Sequence, residues 1–490
     1  MSARWLAALA TLTVGTTVLA EPVPEDPVLE PVEIHWGMGA VEAAISLAIP
    51  TTWYWMTEEH QQIDYSLGGD WASWKIKFTS TEKIKWDTNQ FHINAIRHPL
   101  AGAIDYQIAR SNGVRVFGST LFAALKGAFW EYFIEFREAP SLNDMLLNAS
   151  AGVSIGEPMY QLGQLWRGPD VTWADRARTA VFSPFDALHD TYRSGQRRWR
   201  PRAWREIDLG AGAMQRRADG ADRSELAVGA DLDLVTEPAY VTPGVHDVHT
   251  RAGAWSRFRI GARLGDIGDG LQLVGTEFRT STSFFGRYAQ SATGVGLFVG
   301  LGTAFTYRND TLAIDKDRLA IAHLLGPQLS LITRGNGLEL RLDAAAYADF
   351  GLAQAMVFSP NNPFPRPPPY YTSLQSDGYI DAFGVTGTTR LRARKGSVRA
   401  ELEVMAHGLW QTVGHDREEQ VAAMLAEPAS TAYGLVELRA LWRGQLGYDP
   451  GGWGAALVVD GAQRKSTWAR GGLERSISDY AIGALLTRTY

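Results

Sequence analysis

From Val385 to Val413 apolar and polar positions alternate along the chain. Val385, Gly387, Thr389, Leu391 and Ala393 alternate with Thr386, Thr388, Arg390, Arg392 and Arg394, and after Lys395-Gly396 the pattern restarts. Val398, Ala400, Leu402, Val404 and Ala406 then alternate with Arg399, Glu401, Glu403, Met405 and His407. A period of two predicts strands with one apolar and one charged face. With Lys395-Gly396 as a two-residue turn, Arg394 faces Ser397 and Arg390 faces Glu401, so every apolar residue falls on one side. The same alternation runs from Trp204 to the C-terminus: Leu226, Val228, Ala230 and Leu232 against Asp231 and Asp233, or Leu338, Leu340 and Leu342 against Glu339, Arg341 and Asp343.

Long strands with a charged inner and an apolar outer face are the pattern of a membrane barrel with a wet lumen. The fold class read from this is mainly β: an antiparallel transmembrane barrel of about 12 to 14 strands over residues 204–490. A soluble β-sandwich gives the same alternation with its faces exchanged. Strand length, the N-terminus and the last strand favour the barrel. Both signs of charge face inward, Arg390, Arg392, Glu401 and Glu403 among them, which points to a filled, ion-paired lumen. Glu225, near a strand end, is expected to be a solvated lumen carboxylate.

Connections divide into short turns (near Arg217–Arg223, Gly265–Gly270, Gly335–Gly337, Lys395–Gly396 and Tyr448–Gly452) and long loops. The long ones are Glu237–Ala254, Arg308–Asp317, the Pro-rich Gly351–Gly378 and Gly414–Ser430. Short turns belong on the periplasmic side and long loops outside. Followed back from Tyr490, this rule makes the strand after Trp204 run from outside to inside. The chain must then cross earlier, either by an extra strand (Trp71 to Ser80 is the candidate) or with the helical block passing through the lumen as a plug or sealing the mouth as a cap.

The N-terminus adds a location. Met1 to Arg4 is a short charged region, Trp5 to Leu19 is apolar, and Val18-Leu19-Ala20 resembles a cleavage site. Residues 1–20 are therefore expected to be an export signal, 21–32 a Pro/Glu-rich linker and 33–203 a helical domain packed in or against the barrel. Tyr480, Ile482, Ala484, Leu486 and Tyr490 share one face of a terminal strand, similar to the sorting signal of bacterial outer-membrane barrels, although Arg488 departs from it. The expected location is the outer membrane, with its lipids and the barrel-assembly machinery as partners. The absence of cysteine excludes disulfides, Cys-ligated zinc and thiol nucleophiles, and a net charge of -6 argues against a nucleic-acid partner. The content of Trp 17, Tyr 17 and Phe 19 suits interfacial aromatic girdles.

Candidate chemistry lies in Trp86 to Trp166. Pro99 and Asn112-Gly113 bound a helix from His98 to Ser111. Ser119 can cap a second helix to about Arg137, whose Leu121, Phe122, Leu125, Ala128, Phe129, Phe133 and Phe136 leave little polar surface. Pro140-Ser141 opens a third helix, which Gly156-Glu157-Pro158 is expected to interrupt. The ordered set His98-Pro99, Ala109-Arg110, Trp130-Glu131, Glu135, Pro140-Ser141, Asn143-Asp144 and Gly156-Glu157 resembles a family of uncharacterised bacterial envelope proteins grouped by a shared domain of unknown function. That resemblance implies an envelope location and no established activity. More distantly, the order His, Glu, Asp/Asn, Gly resembles small helical membrane proteins of the VanZ kind.

Two functional readings follow. In the first, the chain is an outer-membrane barrel with a structural, transport or envelope-maintenance role, and Arg110, Asn143, Asn148 and Glu157 belong to a buried network, with Arg110 pairing Glu131 and Glu135. In the second, His98, Glu131, Glu135 and Asp144 serve a membrane-embedded hydrolase acting on lipid or another envelope substrate, as buried carboxylates and imidazole can do acid–base work. Convergence of these four on an open cleft would favour the enzyme; sealing by Arg110 and Lys126 pairs would favour structure. Ser141-x-x-Asp144 is also a capping box. His246-x-x-His249 lacks a helically spaced carboxylate and reads as a solvated loop. No cofactor or metal is expected, and no Gly-x-Ser-x-Gly, phosphate loop or dinucleotide fingerprint is present.

Overall fold

Alternating residues hold a strand only where neighbours complete its hydrogen bonds, and a closed ring does this for every member. In a computed structural model, residues 33–56, 67, 69–80, 84–87, 89–167, 172–192, 204–268, 270–312, 315–359, 374, 377–412, 434–469 and 471–489 are described. The expected export signal and acidic linker, the Pro-rich stretch 360–371, loop 414–430 and Tyr490 lie outside the described residues. The strands are β1 (Trp204–Ala218), β2 (Ala221–Val235), β3 (His246–Thr250), β4 (Trp255–Asp266), β5 (Leu271–Gln290), β6 (Val295–Thr311) and β7 (Lys316–Gly335). They continue as β8 (Leu338–Gln354), β9 (Tyr379–Lys395), β10 (Val398–Gln411), β11 (Leu435–Tyr448), β12 (Trp453–Trp468) and β13 (Leu473–Thr489). Twelve of them form a closed antiparallel ring, β1-β2-β4-β5-β6 and onward to β13, which pairs back to β1. β3 extends the wall beside the far end of β5.

An even ring brings both its ends to one rim, and Asp208 of β1 faces Thr489 of β13. β1 therefore starts at the rim where β13 ends, and the expectation that the chain must cross before Trp204 is corrected. The long connection 236–254 sits on the same rim as turns 336–337, 396–397 and 449–452, so loop length does not sort by rim among the first hairpins. The candidate crossing strand is a helix, Trp71–Thr79, whose N-cap Asp70 accepts from Ser73 N at 2.7 Å. The β9–β10 turn is Gly396-Ser397, with Gly396 at φ 57. Arg392 faces Glu401 and Arg390 faces Glu403, a shift of two from the expected register. A shift of two leaves every face unchanged.

The two faces separate as the pattern requires. Leu402, Leu457 and Ile482 are exposed on the outside, whereas Arg390, Glu403, Arg439 and Arg464 are buried inside. Glu225 is also buried, against Arg216, Arg223 and Arg263, which corrects the solvated reading.

Before the barrel come α1 (Trp36–Met56), α2 (Trp71–Thr79), α3 (His98–Ser111), α4 (Val116–Phe129), α5 (Leu142–Leu165), α6 (Trp173–Phe182) and α7 (Pro184–Tyr192). α3 has the expected bounds. α4 starts ahead of Ser119 and passes into a π-helical turn, Trp130–Ile134. Ser141 caps α5, which continues through Gly156-Glu157-Pro158. Proline removes one ladder bond there, but Gly156, Glu157 and Pro158 are all buried, so packing holds the turn.

Strand parity places this helical block. Asp349 and Thr386 point inward with the lumen residues, so Phe350, Leu352 and Tyr379 point outward. Trp86, Phe91, Leu147, Ala151 and Ile155 form one core with Phe305, Ala320, Phe350, Leu352 and Tyr379. Leu162 packs on Leu232 and Phe258, also on the outer face. The block is therefore a lobe on the outside of the wall, and the expected plug or cap is corrected. The 24-residue α5 is about 36 Å long and runs from one rim of the wall toward the other. The mouths are filled by loop segments instead. Met356–Phe358 tucks into one rim, where Met356 N donates to Glu437 Oε1 (3.2 Å) and Val357 N to Ser466 Oγ (3.0 Å). A short helix, α8 (Pro238–Val241), brings Tyr240 against Trp204, Trp255 and Tyr288 at the other.

Candidate functional site

His98, Glu131, Glu135 and Asp144 are brought into one region by α3, the π-helical turn and the start of α5. The π-helical turn widens the helix so that Glu131 points inward, fully buried. Its Oε2 accepts the Ser141 N–H at 2.7 Å, while Oε1 has no hydrogen-bond partner among the described residues. Glu135 is tied down locally: its Oε1 accepts from Trp130 Nε1 at 2.7 Å. Lys77 of α2 lies over the turn and donates to the Glu131 and Glu135 carbonyls at 2.5 and 2.7 Å. His98 Nε2 stands 3.5 Å from Asp144 Oδ1, and neither atom has an aligned hydrogen-bond partner. The Asp144 N–H donates to Ser141 Oγ at 3.3 Å, so Ser141 caps the helix, but the Ser141 N–H goes to Glu131 instead of Asp144, and the expected capping box is only half formed.

The four residues share a region, but both glutamates are turned toward local donors. The expected Arg110 pairing with Glu131 and Glu135 is corrected. Arg110 instead makes a bidentate pair with the fully buried Glu157 (2.8 and 3.1 Å), which Tyr106 and Gln161 complete at 2.6 and 2.5 Å. Lys126 pairs with Asp105, and Asn143 accepts the Asp87 N–H at 2.8 Å. Asn148 is placed by backbone contact: a Cβ added to Gly102 would collide with its carbonyl oxygen. Glu42 of α1 joins His189 (2.6 Å) and Asn112 (2.5 Å), a tie that the sequence reading missed because its members lie 147 and 70 residues apart. The lobe thus has a polar, hydrogen-bonded interior. Among the described residues no three His, Asp or Glu are grouped to hold a metal ion. His246 is buried in β3 with Nε2 2.9 Å from Thr242 O, which corrects the solvated-loop reading.

The second constellation is the lumen. Arg390 holds Asp233 at 2.9 Å, Asp231 at 3.1 Å and Glu401 at 2.8 Å. Arg392 holds Asp233 at 2.7 Å and Glu206 at 3.3 Å. Arg257 and Arg259 both reach Glu403. β9 and β2 are half a turn apart around the ring, as are β4 and β10, so the pairs of Arg390 and Arg392 with Asp231 and Asp233, and of Arg257 and Arg259 with Glu403, span the lumen, whereas Glu401 is on the strand beside Arg390. The space beside them is a cavity of about 120 Å³, room for a few waters. Nearer the other rim a chain runs Thr306–His323–Asp349–Thr386–His407, with His323 Nδ1 2.7 Å from Asp349 and Nε2 3.0 Å from Thr306. The order matches a hydroxyl–imidazole–carboxylate triad, but all five side chains are buried in the wall's interior. The alternation signalled that these residues face inward. It carried no signal of which would meet.

Among solved structures the chain is similar to outer-membrane barrels. With the beta domain of the Bordetella autotransporter Brka it shares 11% identity over 58% of this chain and 98% of that one, at a TM-score of 0.19. With OmpT, an outer membrane protein of Vibrio cholerae, the identity is 9% over 59% and 99%, at a TM-score of 0.21. With the Pseudomonas putida toluene transporter TodX it is 10% over 59% and 89%, also at 0.21. At these scores the fold description rests on the chain's own strand pairing. Curated proteins give no match. Residues 83–185, the stretch that holds α3, α4, α5 and the buried carboxylates, match the family described as Domain of unknown function (DUF3943).

Proposed function

We propose that this chain is an outer-membrane protein with a closed, non-conducting barrel, and that its role is maintenance of the envelope rather than passage of solute through the lumen. The observation that carries the reading is Arg390 bridging to Asp231 and Asp233 on the opposite wall. Charges of both signs in direct contact cross the lumen there, the spaces beside them are cavities of about 120 and 100 Å³, and the mouths hold Met356 and Tyr240. The outward row Tyr480, Ile482 and Leu486 on the last strand suits recognition by barrel-assembly machinery, and the apolar start of the chain suits export. The test is a pair of permeability assays. Cells lacking the chain should admit a bulky hydrophobic dye faster, and the purified protein should not make liposomes swell in small sugars. Swelling, with no change in dye entry, would overturn the reading.

One observation favours a second reading, a hydrolase in the lobe: His98 and Asp144 lie 3.5 Å apart with their facing atoms otherwise unpaired. Mass spectrometry of envelope lipids from cells carrying His98→Gln or Glu131→Gln tests it. An accumulated substrate at normal protein level would support it; an unchanged lipid profile would remove it.

A further inference from the structure

We propose that the helical lobe is immersed in the bilayer, its outer face covered by lipid acyl chains, and that it forms an intramembrane buttress on one side of the barrel. The inference rests on the outer-membrane reading and goes beyond it by assigning the lobe a solvent. Three observations carry it.

The first is position. The lobe sits on the outer wall at Phe305, Ala320, Phe350, Leu352 and Tyr379, which belong to the same face as the exposed Leu402, Val404 and Leu438 on β10 and β11, strands that the lobe leaves bare. If hydrocarbon covers the bare part of this belt, it meets the lobe beside it. The second is the lobe's own surface. The exposed residues of α4 and its π-helical extension are Phe117, Leu121, Leu125, Phe129 and Phe133, with Leu121 at 58% and Leu125 at 62%. Those of α1 include Val41, Ile45, Ile49, Trp53 and Met56, and those of α3 are Leu100, Ala101 and Ile104. No charged side chain is exposed along α1, α3 or α4, whereas a helix facing water carries its charges on that side. α6, near the rim, does expose Arg176 and Arg178.

The third is the interior. The polar groups are inside: Arg110 with Glu157, Lys126 with Asp105, and Glu42 with His189. The helices meet through Gly102, Gly127, Gly152 and Gly156, where an added Cβ would press on a neighbouring helix. Small residues at contacts and polar groups as ties are how helices associate in lipid, where burial of apolar surface gives no drive. The arrangement also explains α5. No described helix is long and apolar enough to cross a membrane by its own hydropathy. α5 needs no lipid-facing side, because the wall covers one face while α3 and α4 cover the other.

The chain has no cysteine, so single labelling sites are clean. Leu121→Cys, Ile49→Cys, Leu402→Cys on the bare wall and Asp222→Cys at the exposed start of β2, beside the β1–β2 turn, would each carry a nitroxide, in the full-length protein reconstituted into phosphatidylcholine–phosphatidylglycerol vesicles. Electron paramagnetic resonance then compares collisions with oxygen, which concentrates in hydrocarbon, and with a water-soluble nickel chelate. The proposal expects positions 121 and 49 to behave as 402 does, with oxygen dominant, and 222 to show the reverse. Nickel dominant at 121 and 49 but not at 402 would overturn the lobe's immersion while leaving the barrel in the membrane. Nickel dominant at 402 would overturn the outer-membrane reading itself. Low collision with both agents at 121 and 49, with spin–spin broadening, would overturn the proposal by showing that a second copy covers the face.

Discussion

Glu131 and Arg390 are both buried charges, and they are held in opposite ways. Glu131 has one oxygen on the Ser141 amide and the other unpaired, whereas Arg390 is matched by three carboxylates. Removing Arg390 leaves Asp231, Asp233 and Glu401 short of a counter-charge, a loss of roughly 3–5 kcal/mol for a broken buried pair. Arg390→Ala should therefore lower the urea midpoint of the reconstituted protein sharply. Arg287→Ala, which breaks an exposed pair with Asp247, should barely move it. Equal shifts would contradict the account of the lumen. At Glu131, a structural carboxyl needs only to accept a hydrogen bond. Glu131→Gln should keep most of the stability, while Glu131→Ala leaves the Ser141 N–H unsatisfied and costs about 1–3 kcal/mol. A Gln variant as unstable as the Ala variant would argue that the charge itself matters. The sequence showed that Arg390 faces inward, because parity decides that. It did not show Asp231 as its partner, because half the circumference lies between them and no local spacing reports on it.

At the scale of elements, the most legible were those with a strict period or a clear cap. α3 was bounded by Pro99 and Asn112, and the start of α5 by Ser141. The hairpin at Gly396 was legible in its faces and missed in its turn, since a shift of two changes no burial. Two elements were misread, each for its own reason. Trp71–Thr79 was named as a strand because the rim count required a crossing, and its Asp70 cap makes it a helix; Pro158 looked like a break because local propensity was read without the packing that overrides it. The crossing of α3 and α5 is where that packing is tightest. Gly102→Val would drive a side chain into the Asn148 backbone, an overpacking that costs about 1–3 kcal/mol. Hydrogen exchange should show faster exchange along α3 and α5 in this variant and an unchanged barrel. Unchanged exchange in both helices would mean that the close approach is not required.

For the whole molecule, the sequence carried the barrel, its charged lumen and an N-terminal helical domain. It did not carry which side of the wall that domain takes. Inward charges such as Arg392 and Glu401 invite a polar plug as readily as they pair with each other. The choice turns on Phe350 and Tyr379 facing out beneath Trp86 and Phe91, a three-dimensional fact with no linear signature. The rim assignment failed for a related reason: the connection 236–254 is long because it carries β3 and α8, not because it faces outward. With the lobe outside, closure of the barrel falls to its ion pairs and to the loop segments at its mouths. Single-channel recording tests that directly, with the intact protein in planar bilayers and insertion verified by its heat-modifiable mobility. The account predicts no steady conductance above the bare membrane, and a large, steady conductance would contradict it.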